Sequence, residues 1–196
     1  GIALAAATAL AACGGDASRA DNIADAQSSG VDLNGAGATF PYPIYYKWFT
    51  DYQAQTGIRI NYQSIGSGGG IRQLSEGTVD FGASDSPMSD DEIAKAKGPV
   101  MHFPTVLGAD VLIYNVPEIT QPLKLTGEAI AQIFLGQVTK WNDPRIATLN
   151  AGVTLPNSDI LVVHRSDGSG TTFIFTDYLA SVHPEFARRV GRGKEV

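Results

Sequence analysis

Short apolar runs alternate with amphipathic segments along most of the chain and predict strands and helices in turn. Ile58–Ile65 alternates apolar and polar residues with a period of two, and Val79–Ser84 shows a shorter strand pattern. Val106–Tyr114 is almost continuously apolar and predicts a long central strand, whereas Ile160–Val163 predicts a short buried strand. These segments are candidates for a common sheet.

Helical patterns lie between the candidate strands. Apolar residues in Thr126–Leu135 recur with the spacing of an amphipathic helix, and Ser89 with Glu92 forms the signature of a capping box. Pro41 suits the first position of a helix, and Thr39 is placed to cap it. The alternation predicts an α/β fold in which a mainly parallel sheet carries helices on both faces. The predicted helices are Tyr42–Gln55, Ile71–Glu76, Ser89–Lys97, Thr126–Leu135, a short one near Arg145–Leu149, and Phe173–Val182.

Three turns that are rich in glycine and hydroxyl side chains precede predicted helices. They are Leu33–Pro41, Gly66–Gly70 and His164–Thr172. Glycine lets a ligand approach the backbone, and the first turn of a helix offers unpaired N–H groups at the positive end of the helix dipole. Arg165 adds a planar set of donors that matches a tetrahedral oxyanion. Because parallel sheets bind ligands beyond the carboxyl ends of their strands, these turns predict a common anion site.

Motifs that are missing from the chain disfavour several other classes of protein. Neither a nucleotide-binding P-loop nor the glycine fingerprint of a dinucleotide fold is present. A serine hydrolase using Ser67 or Ser169 is a weaker alternative because the nucleophile-elbow motif is missing, and a phosphatase would need a metal cluster or a nucleophile. His102 and His183 lack ligand spacing, so neither a metal nor a cofactor is predicted. A binding protein for sulfate or molybdate stays open as an alternative.

Composition is that of an acidic globular protein. The 196 residues are 43% hydrophobic and 17% charged, and the formal net charge is −6 with a pI near 4.9. This balance argues against a nucleic-acid partner, which requires a basic face. An anion would therefore have to be held by local dipoles, hydroxyls and Arg165 rather than by a general positive field.

The N-terminal residues have the pattern of an export signal. Residues 1–12 are small and apolar and predict part of a signal peptide, and Leu10-Ala-Ala-Cys13 resembles a bacterial lipobox with Cys13 as the lipidated residue. Residues 13–30 are small and polar and predict a flexible tether. We therefore expect a protein of the periplasm or cell surface that is anchored by lipid to a bacterial membrane.

Four motifs in order resemble the periplasmic phosphate-binding protein family of the high-affinity phosphate ABC transporter. They are Gly35-Ala-Gly-Ala-Thr-Phe-Pro41, Ile65-Gly-Ser-Gly-Gly-Gly70, Val79-Asp-Phe-Gly-Ala-Ser-Asp85 and Arg165-Ser-Asp-Gly-Ser-Gly-Thr171. The resemblance implies a two-lobe periplasmic-binding-protein fold of the type II kind, incomplete at the C-terminus. It places the first lobe at residues 31–105 and part of the second at residues 106–196.

The resemblance also implies a function and a first group of phosphate ligands. A protein of this family is no enzyme: as a monomer it captures inorganic phosphate between its lobes and delivers it to the permease subunits of the transporter. Thr39 would supply a hydroxyl and Phe40 a backbone N–H, and Ser67 would supply both groups. Asp85 would accept the proton that phosphate carries.

The C-terminal motif would supply the remaining ligands. By the same resemblance, Arg165 makes the ionic contact with phosphate and Asp167 orients the guanidinium. Ser169, Gly170 and Thr171 would contribute N–H and hydroxyl donors at the start of the last predicted long helix.

Overall fold

Three parallel strands form a small sheet in the computed structural model, which describes Gly30 and residues 32–196. The strand order is β2-β1-β3, so that β1 is central. Its register with β2 runs from Asp32↔Arg59 to Gly37↔Ser64, and its register with β3 ends at Gly37↔Ala83. The carboxyl ends of all three strands therefore lie at one edge of the sheet. The strands are β1 (Asp32–Gly37), β2 (Arg59–Ser64) and β3 (Phe81–Ala83).

Seven α-helices and one turn of 3₁₀-helix are found in the described residues. A helix lies in each predicted helical segment, although the one predicted at Ser89–Lys97 is confined to Asp90–Ala94. The capping box is confirmed, since Ser89 and Glu92 exchange hydrogen bonds between side chain and backbone. The helices are α1 (Tyr42–Thr56), α2 (Ser67–Glu76), α3 (Asp90–Ala94), α4 (Gly127–Phe134), α5 (Pro144–Ala147), α6 (Gly170–Val182) and α7 (Pro184–Arg189), with the 3₁₀ turn at Thr148–Asn150.

The start of α1 differs from the prediction. Pro41 is the N-cap residue, Pro43 lies in the first turn, and no side chain caps the helix. Thr39 is therefore not the cap, because its hydroxyl is engaged by Arg165 instead. Proline is tolerated here because the first N–H groups of a helix have no intrahelical partner.

Helices α1 and α2 cover opposite faces of the sheet, as predicted. On one face Tyr62 and Phe81 stack with ring centroids 6.1 Å apart, and Tyr45 of α1 meets Tyr62 edge-on at 5.3 Å. On the other face α2 lies so close to β1 that the Gly70 backbone touches the backbone of Gly37. Successive residues of a strand point to opposite faces, so both layers are held by the same short strands.

Two predicted strands are wrong. Val106–Tyr114 and Ile160–Val163 have no regular secondary structure, and most of their apolar side chains face solvent, with Leu107 96%, Ile113 90% and Leu161 86% exposed. A strand exists only when a neighbour completes its ladder of hydrogen bonds, and no described strand lies beside either segment. The apolar pattern therefore indicates a tendency toward burial, but no described strand pairs with these segments.

A second apolar cluster is built by the helices of the C-terminal part. Ala131 of α4, Leu179 of α6 and Phe186 of α7 are fully or almost fully buried against one another. Phe134 meets Phe175 edge to face with centroids 4.7 Å apart, a favoured geometry for aromatic pairs. This cluster fixes α6, whose first turn enters the site described below.

Helix α5 supplies a pH-dependent test of the fold. The hydrogen bonds that the Arg145 side chain and backbone donate to Asp143 lower the pKa of Asp143 to about 2. An Asp in the unfolded chain has a pKa of about 3.9. The cap therefore stabilises α5 fully above that pH, and this stabilisation is lost as the pH falls through about 2. A carboxyl-detected NMR titration is expected to show this low pKa. In Arg145→Met the pKa should move back toward its ordinary value, and an unchanged low value would contradict the assignment.

The predictions for the N-terminus fall outside the described residues. They concern the signal peptide at residues 1–12, the lipidation of Cys13 and the tether at residues 13–30, of which only Gly30 is described. Among the helices of residues 32–196, none combines the length and the apolar character needed to cross a bilayer.

Candidate anion-binding site

Two helix N-termini meet beyond the carboxyl ends of the strands. Helix α2 begins at Ser67 directly after β2, and α6 begins at Gly170, next to Asp85 and the Ser67 hydroxyl. Each N-terminus carries a partial positive charge from its aligned peptide dipoles. Their convergence creates a favourable place for an anion in a chain whose net charge is negative.

Arg165 anchors one side of this place. Its Nε donates to Asp167 Oδ1 at 2.8 Å, its Nη2 pairs with Asp167 Oδ2, and its Nη1 donates to Thr39 Oγ1 at 3.2 Å. The planar guanidinium thus makes a two-pronged contact with the Asp167 carboxylate on one edge, and on another edge it donates to the Thr39 hydroxyl in the β1–α1 turn. The arrangement keeps a fixed cation beside the two helix N-termini.

Asp85 occupies the other side. Thr171 Oγ1 donates to Asp85 Oδ2 at 2.9 Å, and the Asp85 backbone N–H donates to Ser67 Oγ at 3.3 Å. The second carboxylate oxygen, Oδ1, is buried and has no hydrogen-bond partner among the described residues. A buried acceptor without a donor is costly, so this oxygen is a place where a ligand proton would be bound.

The two parts of the site are in direct contact. The Gly68 N–H donates to the Gly168 carbonyl at 2.7 Å. At Gly170 the approach is so close that a β-carbon would lie 2.5 Å from Ser67 Oγ and 2.7 Å from the β-carbon of Asp85. Any larger residue at this position would push α6 away from α2, which explains the need for glycine there.

The structure brings most of the predicted residues together, but not all of them in the predicted way. Thr39, Arg165 and Asp167 form one hydrogen-bonded group, and Thr171, Asp85 and Ser67 form another.

Three other predicted residues have different surroundings. The Ser169 hydroxyl accepts from the Thr172 N–H at 3.1 Å, and its own N–H donates to the Lys194 carbonyl at 3.0 Å, so it caps α6. Phe40 is partly exposed, and its ring lies beside Gly108. Gly170 occupies the first helical position of α6, where its N–H has no intrahelical partner.

The charges of the site reinforce one another. The hydrogen bond to Asp167 raises the pKa of Arg165, burial opposes the increase, and the charges of Asp167 and Asp85 add to it. The hydrogen bond from Arg165 likewise lowers the pKa of Asp167. Both groups therefore stay ionised across the physiological range, and Arg165 keeps its charge available for an anion.

Sequence reasoning missed two residues next to Asp85. Tyr62 donates its phenol proton to the Ala38 carbonyl at 2.7 Å and so supports the turn that carries Thr39; burial raises its pKa, with the nearby Tyr45 and Asp85 adding to the increase. Burial also raises the pKa of Asp110, and the charge of Asp85 adds to that increase. A single carboxylate inside the apolar run Val106–Tyr114 was the available signal for Asp110.

The two serine hydroxyls that were weighed as nucleophiles are buried in the site. The candidate nucleophiles Ser67 and Ser169 are only 1% and 0% exposed, and no histidine hydrogen-bonds to either hydroxyl in the described part of the chain. Within residues 32–196, no group of three or more His, Cys, Asp or Glu side chains could hold a metal ion. The arrangement can place donors and one acceptor around an oxyanion.

Comparison with known proteins places this geometry in a family. The model of the PBP superfamily domain matches residues 22–195. The phosphate-binding protein PstS of Pasteurella multocida is 55% identical over 165 residues, which cover 84% of this chain and 47% of the relative. The PstS protein of Haemophilus influenzae is 52% identical over 84% of this chain and 49% of its own length. The chain thus spans about half the length of these curated relatives.

A solved structure shares the fold. It is the crystal structure, with bound phosphate, of a phosphate ABC transporter substrate-binding protein from Clostridium perfringens. The TM-score is 0.54 with 22% sequence identity, and the match covers 76% of this chain and 56% of the other. At 22% identity, this similarity supports the predicted binding-protein fold alone.

Proposed function

Because the chain belongs to the PBP superfamily, we propose that it binds inorganic phosphate at the place where α2 and α6 meet. The dipoles of the two helices and the Arg165 guanidinium attract the anion. The hydroxyls of Thr39, Ser67 and Thr171 surround it. The relatives named above are phosphate-binding proteins, and each match covers 84% of this chain.

The remaining predicted residues take supporting roles in this proposal. The N–H groups of Phe40, Gly170 and Thr171 donate to phosphate oxygens. Asp167 holds Arg165 in the orientation that its two hydrogen bonds define. Ser169 stabilises the first turn of α6 and thereby positions the donors that follow it.

The single observation that carries the proposal is the Oδ1 atom of Asp85. It is a buried acceptor with no donor among the described residues. Phosphate retains at least one proton near neutral pH and can donate it to this oxygen. Sulfate is fully ionised and would meet the carboxylate with lone pairs only. A carboxylate at this position therefore selects against sulfate by repulsion.

The magnitude of this repulsion is large enough to decide selectivity. Two unit charges about 4 Å apart interact by roughly 4 kcal/mol at an effective dielectric constant of about 20. Since each 1.4 kcal/mol changes a dissociation constant about tenfold, sulfate is expected to bind about a thousandfold more weakly than phosphate.

Calorimetric titration of phosphate and then sulfate into the protein tests the proposal. Tight binding of phosphate with an affinity for sulfate about three decades lower is the expected result. A folded protein that binds neither anion, or that prefers sulfate, would overturn it. Turnover of a chromogenic phosphate ester would instead favour a phosphatase.

We further propose that phosphate capture serves transport. Lobes at residues 31–105 and 106–196 would close on the anion and be recognised by the permease subunits of an ABC transporter. A site between the two ranges is supported by the origin of its groups, since Thr39 and Asp85 belong to the first range and Arg165 and Thr171 to the second. A monomer anchored through a lipid on Cys13, in the periplasm or at the cell surface, fits this role, which requires no catalysis.

A further inference from the structure

Residues that follow α7 return to the start of α6 and form a short segment that we call the strap, Gly193–Glu195. The Thr176 hydroxyl donates to the Gly193 carbonyl at 3.2 Å and accepts from the Gly193 N–H at 3.1 Å. The Lys194 carbonyl accepts from the Ser169 N–H at 3.0 Å. The strap backbone is therefore fixed to the first two turns of α6.

The Lys194 side chain extends from the strap to the other part of the site. Its Nζ lies 2.8 Å from Glu92 Oε1, and it also lies 5.6 Å from the centroid of the Phe173 ring. The side chains of Lys194 and Glu92 are only 17% and 27% exposed. An ion pair that is this well shielded from water is stronger than the exposed pairs elsewhere on the surface.

Glu92 is held as firmly as Lys194. Its other oxygen, Oε2, accepts from the Ser89 N–H at 2.8 Å in the capping box of α3. Burial pushes the pKa of Glu92 upward, but the hydrogen bonds from Lys194 and Ser89 outweigh burial, so its pKa lies below the ordinary value. Glu92 is thus ionised, and the two partners are anchored to separate parts of the chain.

The position of this pair relative to the anion site gives it a role. Of the hydrogen bonds that join the two parts there, the contacts between Arg165 and Thr39 and between Thr171 and Asp85 use the proposed phosphate ligands. Phosphate must replace these contacts when it enters. The Lys194–Glu92 pair uses no ligand group, so it can persist while the anion is bound.

We propose that Lys194 is a positioning residue that clamps the α6 side of the site against the α3 side through its ion pair with Glu92. This inference rests on the proposed phosphate function only for its effect on affinity. The clamp itself holds Ser169 and the first turn of α6 in register with Ser67 and Asp85 whenever the two parts are together, so its structural effect can be measured without an anion.

The test compares Lys194→Met, Glu92→Gln, the double variant and Lys194→Arg with the wild-type chain. Methionine keeps most of the length of the lysine side chain and removes the charge, while Gln at position 92 can still complete the capping box. Hydrogen exchange at the Gly68 N–H reports the contact between the two parts without any ligand, because that N–H donates to Gly168. Phosphate titration and dissociation kinetics report the consequence for binding.

In Lys194→Met we expect exchange at Gly68 to be about tenfold faster and the Kd for phosphate to rise about tenfold, mainly through faster dissociation. The double variant should show the same exchange rate at Gly68 and the same Kd for phosphate as either single variant, because the same ion pair is lost in each. In Lys194→Arg, which keeps the charge, both quantities should stay within about twofold of wild type. The Leu135 N–H donates to the Ala131 carbonyl, away from the clamp, and its rate of hydrogen exchange should be the same in all variants. Lys47→Met, which breaks an exposed pair with Asp51, is the matched control for loss of a lysine charge.

The outcomes separate the two proposals. Unchanged exchange at Gly68 and unchanged phosphate affinity in Lys194→Met would overturn the clamp. Additive losses in the double variant would also overturn it. If the wild-type chain binds no phosphate but exchange at Gly68 still accelerates in Lys194→Met, the clamp stands and the phosphate function fails.

Discussion

Asp85→Asn is expected to lower the preference for phosphate over sulfate by about a thousandfold. The amide removes the negative charge that repels a fully ionised anion, which at about 4 Å and an effective dielectric constant of about 20 amounts to roughly 4 kcal/mol. Its NH₂ group can also donate to sulfate. The change in the ratio should come mainly from stronger sulfate binding, because the amide oxygen of asparagine can still accept the phosphate proton. Competition titrations of both anions measure the ratio directly.

Asp167→Asn is the matched control for this experiment. It also removes one carboxylate charge near Arg165, but Asp167 contacts the guanidinium rather than the proposed ligand proton. Both anions should therefore lose affinity together, and the ratio between them should stay within about threefold of wild type. The selectivity role of Asp85 would be contradicted if the ratio of phosphate to sulfate affinity stayed high in Asp85→Asn. It would also be contradicted if the ratio fell as far in Asp167→Asn.

Gly70→Ala is expected to lower the free energy of unfolding by about 3 kcal/mol. A β-carbon at position 70 would lie 2.5 Å from Gly37 Cα and 2.6 Å from the Ala36 carbonyl oxygen. Both are backbone atoms of the central strand β1, so no side chain can rotate away. Helix α2 would have to move off the sheet, against which the better helix propensity of alanine offers only about 1 kcal/mol.

Urea denaturation of Gly70→Ala and of Gly98→Ala provides the measurement. Position 98 is a suitable control because a β-carbon there would meet no atom within 4 Å beyond its chain neighbours, and its backbone is not in the left-handed region. Its free energy of unfolding should stay within about 0.5 kcal/mol of wild type. Equal midpoints for the two variants would show that the contact between α2 and β1 is looser than described. Since α2 carries Ser67, phosphate affinity should also fall in Gly70→Ala.

The predicted elements that proved right are those whose evidence is local. A strand followed by a glycine turn and a helix is specified within a few residues, as in β2 and α2, and the capping box of α3 is complete in four residues. Val106–Tyr114 failed because strand formation depends on a neighbour that the segment itself cannot specify. Apolar content indicates a tendency toward burial, and only tertiary contacts decide whether burial occurs.

The candidate site was predictable in its residue types but not in its bonding. The motifs indicated Thr39, Ser67 and Asp85 just beyond the carboxyl ends of strands, where the structure has them, whereas Arg165 follows a segment without regular secondary structure. They could not show that Ser169 uses its N–H on Lys194, because the two residues lie far apart in the sequence. They also could not reveal Tyr62, whose hydrogen bond to Ala38 depends on the parallel register of β1 and β2.

The hydrogen bonds of Arg165 with Thr39 and of Thr171 with Asp85 also affect how fast the ligand-free protein can capture an anion. The groups meant for the anion satisfy one another, so the resting population has few donors ready for capture. An arriving anion competes with the protein's own side chains, and only molecules in which these contacts have opened can accept it. If the proposed site binds phosphate, the apparent affinity is the intrinsic affinity multiplied by the fraction of opened molecules, and the rate of opening is an upper limit on the rate of capture.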